Sequence, residues 1–570
     1  MRVRSRTECV CCLTAPGIGL QSLYLPECYP HPPDGELPAS LPSPGSIAMN
    51  TPVVLIRMVP AALIAFASLP VHGQSLHEAI DVMTAAGMPD YAKKASSPAG
   101  DAEFLRRISL DLTGTIPSAK DARTFLDDKS PDKRAKLIEK LLASPEYARR
   151  LAYLFDDLFM DRRPDKNVPA AEWQKYLRDS FAANKPYDQL VREILSADGS
   201  DPKLRAAARF YLDRDAEPNL ITRDISRVFL GMNLTCCQCH DHPLVNAYKQ
   251  EQYYGILAFI SRSQIAPGVK PVALSEKADG DTTFTSVFDP SKAVKTAVLR
   301  VPGGKIVPEP KLEKGKEYKV APGKNVRSVP TFSRRGQLAP TLTASRQFAR
   351  TAANRLWAMM LGRGLIHPVE FDHKANPPSH PALMDKMTDE LIAHKFDIRW
   401  LLKEIALSRT YQRSSEQKGE PDPARFLAAA VKPLTAQELA WSLMQAVDLP
   451  AAQRNEGLVK TFVSMFAAKP GEPDSGFQAT LDQTLFVSNG ALLRQWLAPR
   501  PGNLADRLVK AKTDAALADE LFVSVLTRRP SASEVAMVSG YLKGREKDRP
   551  AAIQELAWAL LASAEFRFNH

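Results

Sequence analysis

Apolar residues along most of this chain recur at intervals of three and four, the spacing of helices that bury one face. Leu137, Ile138, Leu141 and Leu142 form one such stripe, and Leu151, Leu154, Phe155, Leu158 and Phe159 form the next. The punctuation agrees. A helix over 76–86 stops at Gly87, and another over 104–112 runs into Thr113-Gly114. Ser118 caps a helix with Asp121 as its partner, and Ser130-Pro131 and Ser144-Pro145 each read as an N-cap followed by proline in the first turn. Trp173 and Tyr176 open a further helix, and one over 187–195 follows Pro186. Helices are also expected over 221–230, stopped by Gly231, and over 248–261.

From about 264 to 334 the texture changes. Gly, Pro and Lys become frequent, and short alternating runs at 282–288, 297–301 and 318–320 predict a small β-rich segment. Helical periodicity then returns, at 343–361 and 398–407, with Ser379 as the expected cap of an intervening helix. Thr435 with Glu438, and Ser531 with Glu534, mark two capping boxes. The fold expected is mainly α: helical domains over 76–262 and 335–570, joined by the β-rich 264–334.

Composition adds little to this picture. A chain of 570 residues with 44 % apolar and 24 % charged residues is ordinary globular protein. Its net charge of +11 is spread along the chain, with no basic arm or aromatic-interleaved stripe, which argues against nucleic acid as a partner. Residues 49–73 combine a positive charge, a short apolar core and small residues before a cut after Gly73, and read as a secretory signal peptide. The Pro-rich 1–48 reads as a start called too early, with Met49 or Met58 as the true start, or as a disordered extension. The mature chain is expected to be periplasmic or extracellular, with no transmembrane anchor after signal removal.

Cysteine placement changes the picture most. Cys9, Cys11, Cys12 and Cys28 precede the signal peptide, and the other three are Cys236, Cys237 and Cys239. A disulfide framework would scatter its pairs, so these last three point to one site. Cys236-x-x-Cys239-His240 has the spacing that attaches a c-type haem through two thioethers and an axial imidazole. His373, His380, Met359, Met360, Met384 and Met387 are the candidates for a sixth ligand. A second reading is zinc, held by Cys236, Cys239 and either His240 or His242, with His380 as a remote fourth ligand and Asp241 as a base or as a partner orienting an imidazole. A third is structural: a Cys236–Cys239 bridge or packed thiols. Cys237, an extra thiol beside a haem ligand, fits the second and third readings better.

The stretches Arg107-Ile-Ser-Leu-Asp-Leu-Thr-Gly-Thr-Ile-Pro-Ser and Arg227-Val-Phe-Leu-Gly, with the cysteine motif, resemble the planctomycete cytochrome-like domain. Phe348-Ala-Arg-Thr-Ala-Ala-Asn-Arg-Leu-Trp, Asn376-Pro-Pro-Ser-His-Pro and Ser408-Arg-Thr-Tyr-Gln-Arg-Ser-Ser resemble its usual C-terminal companion. The resemblance implies an exported protein of planctomycete- or verrucomicrobium-type bacteria whose domains have no assigned function.

Elsewhere, Arg350, Asn354, Arg355 and Trp357 read as an internal hydrogen-bonded network rather than a carbohydrate or anion site, and Asp111 with Thr113 as turn and cap chemistry. The function expected is haem-linked redox or electron transfer with an extracytoplasmic protein partner. A zinc-stabilised binding or scaffold protein, linked to polysaccharide processing, is the alternative.

Overall fold

The computed structural model describes residues 75–417, 419, 422–469 and 480–570; the expected signal peptide and the segment before it lie outside these. The fold is mainly α, 53 % helical, and among the described residues the only sheets are two-stranded antiparallel pairs. Among the described residues no helix is long and apolar enough to cross a membrane.

One helix organises the packing. Asp101–Thr113 is buried at every position from Phe104 to Thr113 and ends at Gly114 in the left-handed conformation. Phe104, Leu105, Ile108 and Leu112 join a hydrophobic core built from residues between Leu76 and Phe426, with Val523 added to it. Leu110, on the other side, joins a second core that runs from Leu434 to Phe566. The first core takes in both the 76–262 helices and those that follow 334, so the main division between cores falls near residue 430.

A stretch buried all round normally carries no charge, yet Phe104 to Thr113 carries three. Arg106 donates to the carbonyls of Phe566 (2.8 Å), Glu565 and Val525 near the C-terminus, and burial pulls its pKa down to about 10. Arg107 pairs with Glu103 and donates to the carbonyls of Tyr411 (3.0 Å) and Arg413 (2.7 Å). Asp111 accepts from Tyr411 Oη (2.8 Å), Lys432 Nζ (2.6 Å) and Asn569 Nδ2 (2.8 Å). It is therefore a long-range junction and not the local turn-former expected. Thr113 bonds the Ser109 carbonyl instead. Lys432 also donates to the carbonyls of Met359 and Met360, which end the Arg346–Leu361 helix, where a cation is favoured by the helix dipole. The Lys432–Pro433 strand pairs with Phe568–Asn569, bringing the chain's end to the same place.

Local signals place most helix starts. Ser144 caps Pro145–Met160, and Thr435 and Ser531 form both halves of their capping boxes. The helix expected over 343–361 is Arg346–Leu361, because Ser345 turns out to cap Phe348 N, and a separate helix, Arg334–Thr343, precedes it. His380, not Ser379, is the N-cap of Pro381–Ala393, and the helix after Ser130 begins only at Lys133. The β-rich segment is three small hairpins; of the 282–288 run only Thr283–Phe284 is strand.

Replacing Asp111 with Ala leaves Lys432, Tyr411 and Asn569 facing an emptied buried position. Denaturant unfolding of Asp111→Ala is expected to show a loss of about 3–5 kcal/mol, whereas Arg529→Ala, which breaks an exposed ion pair, should cost less than about 1 kcal/mol.

Candidate functional site: the cysteine turn

The Pro218–Leu230 helix delivers the motif. Glu217 caps its start, and Gly231 ends it in the left-handed conformation (φ 62°). A Cβ at Gly231 would lie 3.0 Å from Thr351 Oγ1 and 3.2 Å from the Val369 carbonyl, so the position requires glycine twice over. Asn233 then accepts from the amide and hydroxyl of Thr235, starting a short 3-10 turn over Thr235–Gln238. The amides of Cys239 and His240 both donate to the Cys236 carbonyl, which closes the loop.

That turn sends its thiols in two directions. Cys236 and Cys239 are exposed; Cys237 is fully buried in the first core, and all three are free. Burial pushes the Cys237 thiol up to about 12, with the His242 amide opposing only in part. Cys237 is thus a packing residue, and the extra thiol that complicated the sequence reading faces away from its neighbours.

The two histidines differ in tautomer. His240 Nδ1 lies 2.6 Å from the Asp241 carbonyl, an acceptor only, so Nδ1 carries the proton and Nε2 holds the free lone pair. His242 Nδ1 accepts the amides of Leu244 (3.2 Å) and Val245 (3.1 Å), which puts the proton of its neutral ring on Nε2. Burial, then His373 and His240, lowers the His242 pKa and favours that neutral form. Of the two, His240 is the ring prepared to ligate a metal through Nε2. Asp241 is not the partner of an imidazole: its carboxylate takes the Gln250 amide (2.8 Å) and Lys249 (3.0 Å). Burial raises its pKa, but those two contacts outweigh this and hold it below the usual carboxylate value.

Three distant segments clamp the turn. Tyr254 Oη donates to the Gln238 carbonyl (2.9 Å), and Val287 N to that of Cys239 (3.0 Å). Gln250 Nε2 ties the Thr285 carbonyl (3.2 Å) to the same corner, and Phe284 stacks on Tyr254 at 4.4 Å. The hairpin of Thr283–Phe284 and Lys295–Thr296 therefore sits on the motif, with the Phe288 ring 4.7 Å from His240. From the other side, Asn233 N donates to the Glu370 carbonyl (2.9 Å), and Asp372 N to that of Gly231 (3.0 Å). Arg350 holds Asp372 (2.9 Å), Arg355 donates to the Arg227 carbonyl (2.7 Å), and Asn354 exchanges two bonds with Ile366. These three residues form the internal network expected of them, and it positions the 366–376 loop; Trp357, expected in the same network, is buried with its Nε1 unpartnered and packs edge-on against Phe426 instead.

That loop brings in His373. Its ring and that of His242 meet the buried Tyr248 edge-on, at 5.4 and 5.8 Å. Burial lowers the His373 pKa, against the pull of Asp372. His380, the expected remote zinc ligand, instead packs on Phe426 (5.7 Å), and Met360, Met384 and Met387 are core residues. Among the described residues, no three His, Cys, Asp or Glu side chains gather as a metal ion's ligands. The turn and the hairpin clamped to it also expose apolar side chains: Leu244, Val287, Phe288 and Val294 are 88, 66, 70 and 71 % exposed.

Alkylation followed by peptide mapping, on protein made without haem-attachment machinery, should modify Cys236 and Cys239 in the native state. Cys237 should stay unmodified from pH 7 to 9, below its raised pKa, and react only on unfolding.

No curated protein and no solved structure matches the chain. Residues 79–265 match the PSCyt2 family, described as a protein of unknown function (DUF1549), and the cysteine turn lies within them. Residues 334–473 match the PSD1 family, also described as a protein of unknown function (DUF1553), and include the 366–376 loop. The clamping hairpin falls between the two matches, so the chain carries a PSCyt2 segment and a PSD1 segment, in that order, with the turn held by both and by the stretch between them.

Proposed function

We propose that this is an exported c-type-cytochrome-like redox protein, in which Cys236 and Cys239 bind haem by thioether bonds and His240 is an axial ligand. The observation that carries the reading is the pairing of two exposed thiols on one turn with an imidazole whose Nδ1 is fixed by a carbonyl and whose Nε2 is free. A haem attached in this way needs one imidazole and two thiols at its edge, not a closed cage of ligands. Exposed Leu244, Val287 and Phe288 offer apolar contact for a flat macrocycle. The hydrogen bond from His240 to the Asp241 carbonyl would orient the ring and raise its basicity as a ligand. Bound haem would supply one-electron exchange, with an extracytoplasmic protein as partner. Zinc fits less well, because the proton of neutral His242 sits on Nε2 and His380 lies against Phe426.

Export fits this chemistry, since thioether attachment is made outside the cytoplasm and 49–73 reads as a signal peptide.

Co-expression with haem-attachment machinery should give a coloured protein whose Soret band survives acid–acetone extraction, with the pyridine haemochrome of a thioether-linked haem. Cys239→Ser should leave one thioether and shift that spectrum, and His240→Ala should alter the axial spectrum with the haem still attached. A colourless wild-type protein holding one zinc per chain would sink the haem reading in favour of the zinc-stabilised scaffold.

A further inference from the structure

A second cavity stands apart from the cysteine turn. It is a cleft of about 400 Å³ between the Ala119–Asp127 and Lys133–Leu142 helices, floored by the Asp101–Thr113 helix. Leu105, Ile116, Phe125, Leu137 and Leu141 give it an apolar wall. Ser109 also lines it, only 2 % exposed, and its hydroxyl has no hydrogen-bond partner. A buried hydroxyl without a partner is uncommon and costs stability wherever nothing compensates it. The lysines of the rim are already engaged: Lys133 with Asp101 (2.6 Å), Lys136 with Asp132 (2.9 Å) and Lys140 with Asp121 (2.8 Å). Nothing in that arrangement selects an anion.

The size of the cleft, its apolar wall and the one buried hydroxyl of its lining that has no partner specify a ligand chemistry. We propose that it binds a neutral, apolar molecule of about two fused rings that carries a carbonyl oxygen, which accepts a hydrogen bond from Ser109. The wall takes the ring system, and Ser109, one turn along from Leu105 on the same helix, takes the oxygen. The stretch from Arg107 to Ser118, prominent in the sequence, then has two duties: Arg107 and Asp111 join distant segments, and Ser109, Ile116 and Ser118 face the cleft.

The test uses the full chain and prodan, a neutral naphthalene ketone whose emission shifts to the red when its carbonyl accepts a hydrogen bond. Saturable binding at one prodan per chain is expected. Leu137→Trp inside the cleft, and Thr124→Trp at its exposed mouth, should each abolish it without unfolding the protein; the mouth variant remains informative if the inner one fails to fold. Ser109→Ala should weaken prodan about five- to tenfold, the worth of one buried neutral hydrogen bond, and move its bound emission to the blue. The same change should leave binding of N-phenylnaphthylamine, which has no carbonyl, unaltered. The proposal is overturned by non-saturable prodan binding, by a folded Thr124→Trp that binds as the wild type does, by tighter binding of anilinonaphthalene sulfonate than of prodan, or by a Ser109→Ala variant with unchanged affinity and emission.

Discussion

The fold depends on three charges buried on one helix. Arg106, Arg107 and Asp111 are each at most 3 % exposed, and taking them out of water costs several kcal/mol apiece before any partner is found. Apart from Glu103, which pairs with Arg107 one turn away, their partners come from far away in sequence: carbonyls near residues 411–413 and 565–568, then Tyr411, Lys432 and Asn569. Collapse of the apolar residues around this helix is non-directional and would accept many arrangements. An arrangement that gives each of the three charges its partners is far more restricted. The charges therefore select the packing that the hydrophobic cores stabilise, and they fix where the later half of the chain lies against the first.

The cysteine turn inherits that placement. Lys432, drawn to Asp111, also closes the C-terminal end of the Arg346–Leu361 helix. The same helix presents Arg350, Asn354 and Arg355, which hold the 366–376 loop, and that loop pairs with Gly231 and Asn233 at the root of the turn. A chain of polar contacts thus runs from the buried helix to the exposed thiols. Rigidity at the root of the turn would serve the proposed redox chemistry, because an axial imidazole that cannot swing would keep its ligand geometry in both oxidation states.

What could be read in the sequence was whatever is decided within a turn or two of chain. Helix caps at Ser144, Thr435 and Ser531, and the stop at Gly231, are set by bonds between residues a few positions apart, so their letters suffice. Ser345 shows the limit: the helix was expected to start at 343, and only the cap that Ser345 makes to Phe348 fixes its start at Arg346. Asp111 was misread because its partners lie 300 to 458 residues away. The role of the hairpin was hidden for the same reason. Val287 and Phe288 alternate like strand residues, but the contact that matters is a single amide to the Cys239 carbonyl and a ring against His240. His373 had no motif around it, and it reaches the site only through the loop that Asp372 anchors.

The site also explains why a Cys-Cys-x-Cys-His sequence need not confuse a haem motif with a thiol cluster. In a 3-10 turn successive side chains are about 120° apart, so Cys236 and Cys239, three positions on, share one face while Cys237 points to another. Here that other face is the core, where burial keeps the Cys237 thiol protonated at any physiological pH and hence a poor nucleophile. Backbone geometry makes the distinction first and desolvation reinforces it. The same logic separates the histidines: chain direction after Asp241 gives His240 a carbonyl and His242 two amides, and those opposite partners assign the protons to opposite nitrogens. Five residues that look like interchangeable ligands on paper are, once folded, two thiols and one imidazole facing outward, with the other thiol and the other imidazole committed to holding the turn in place.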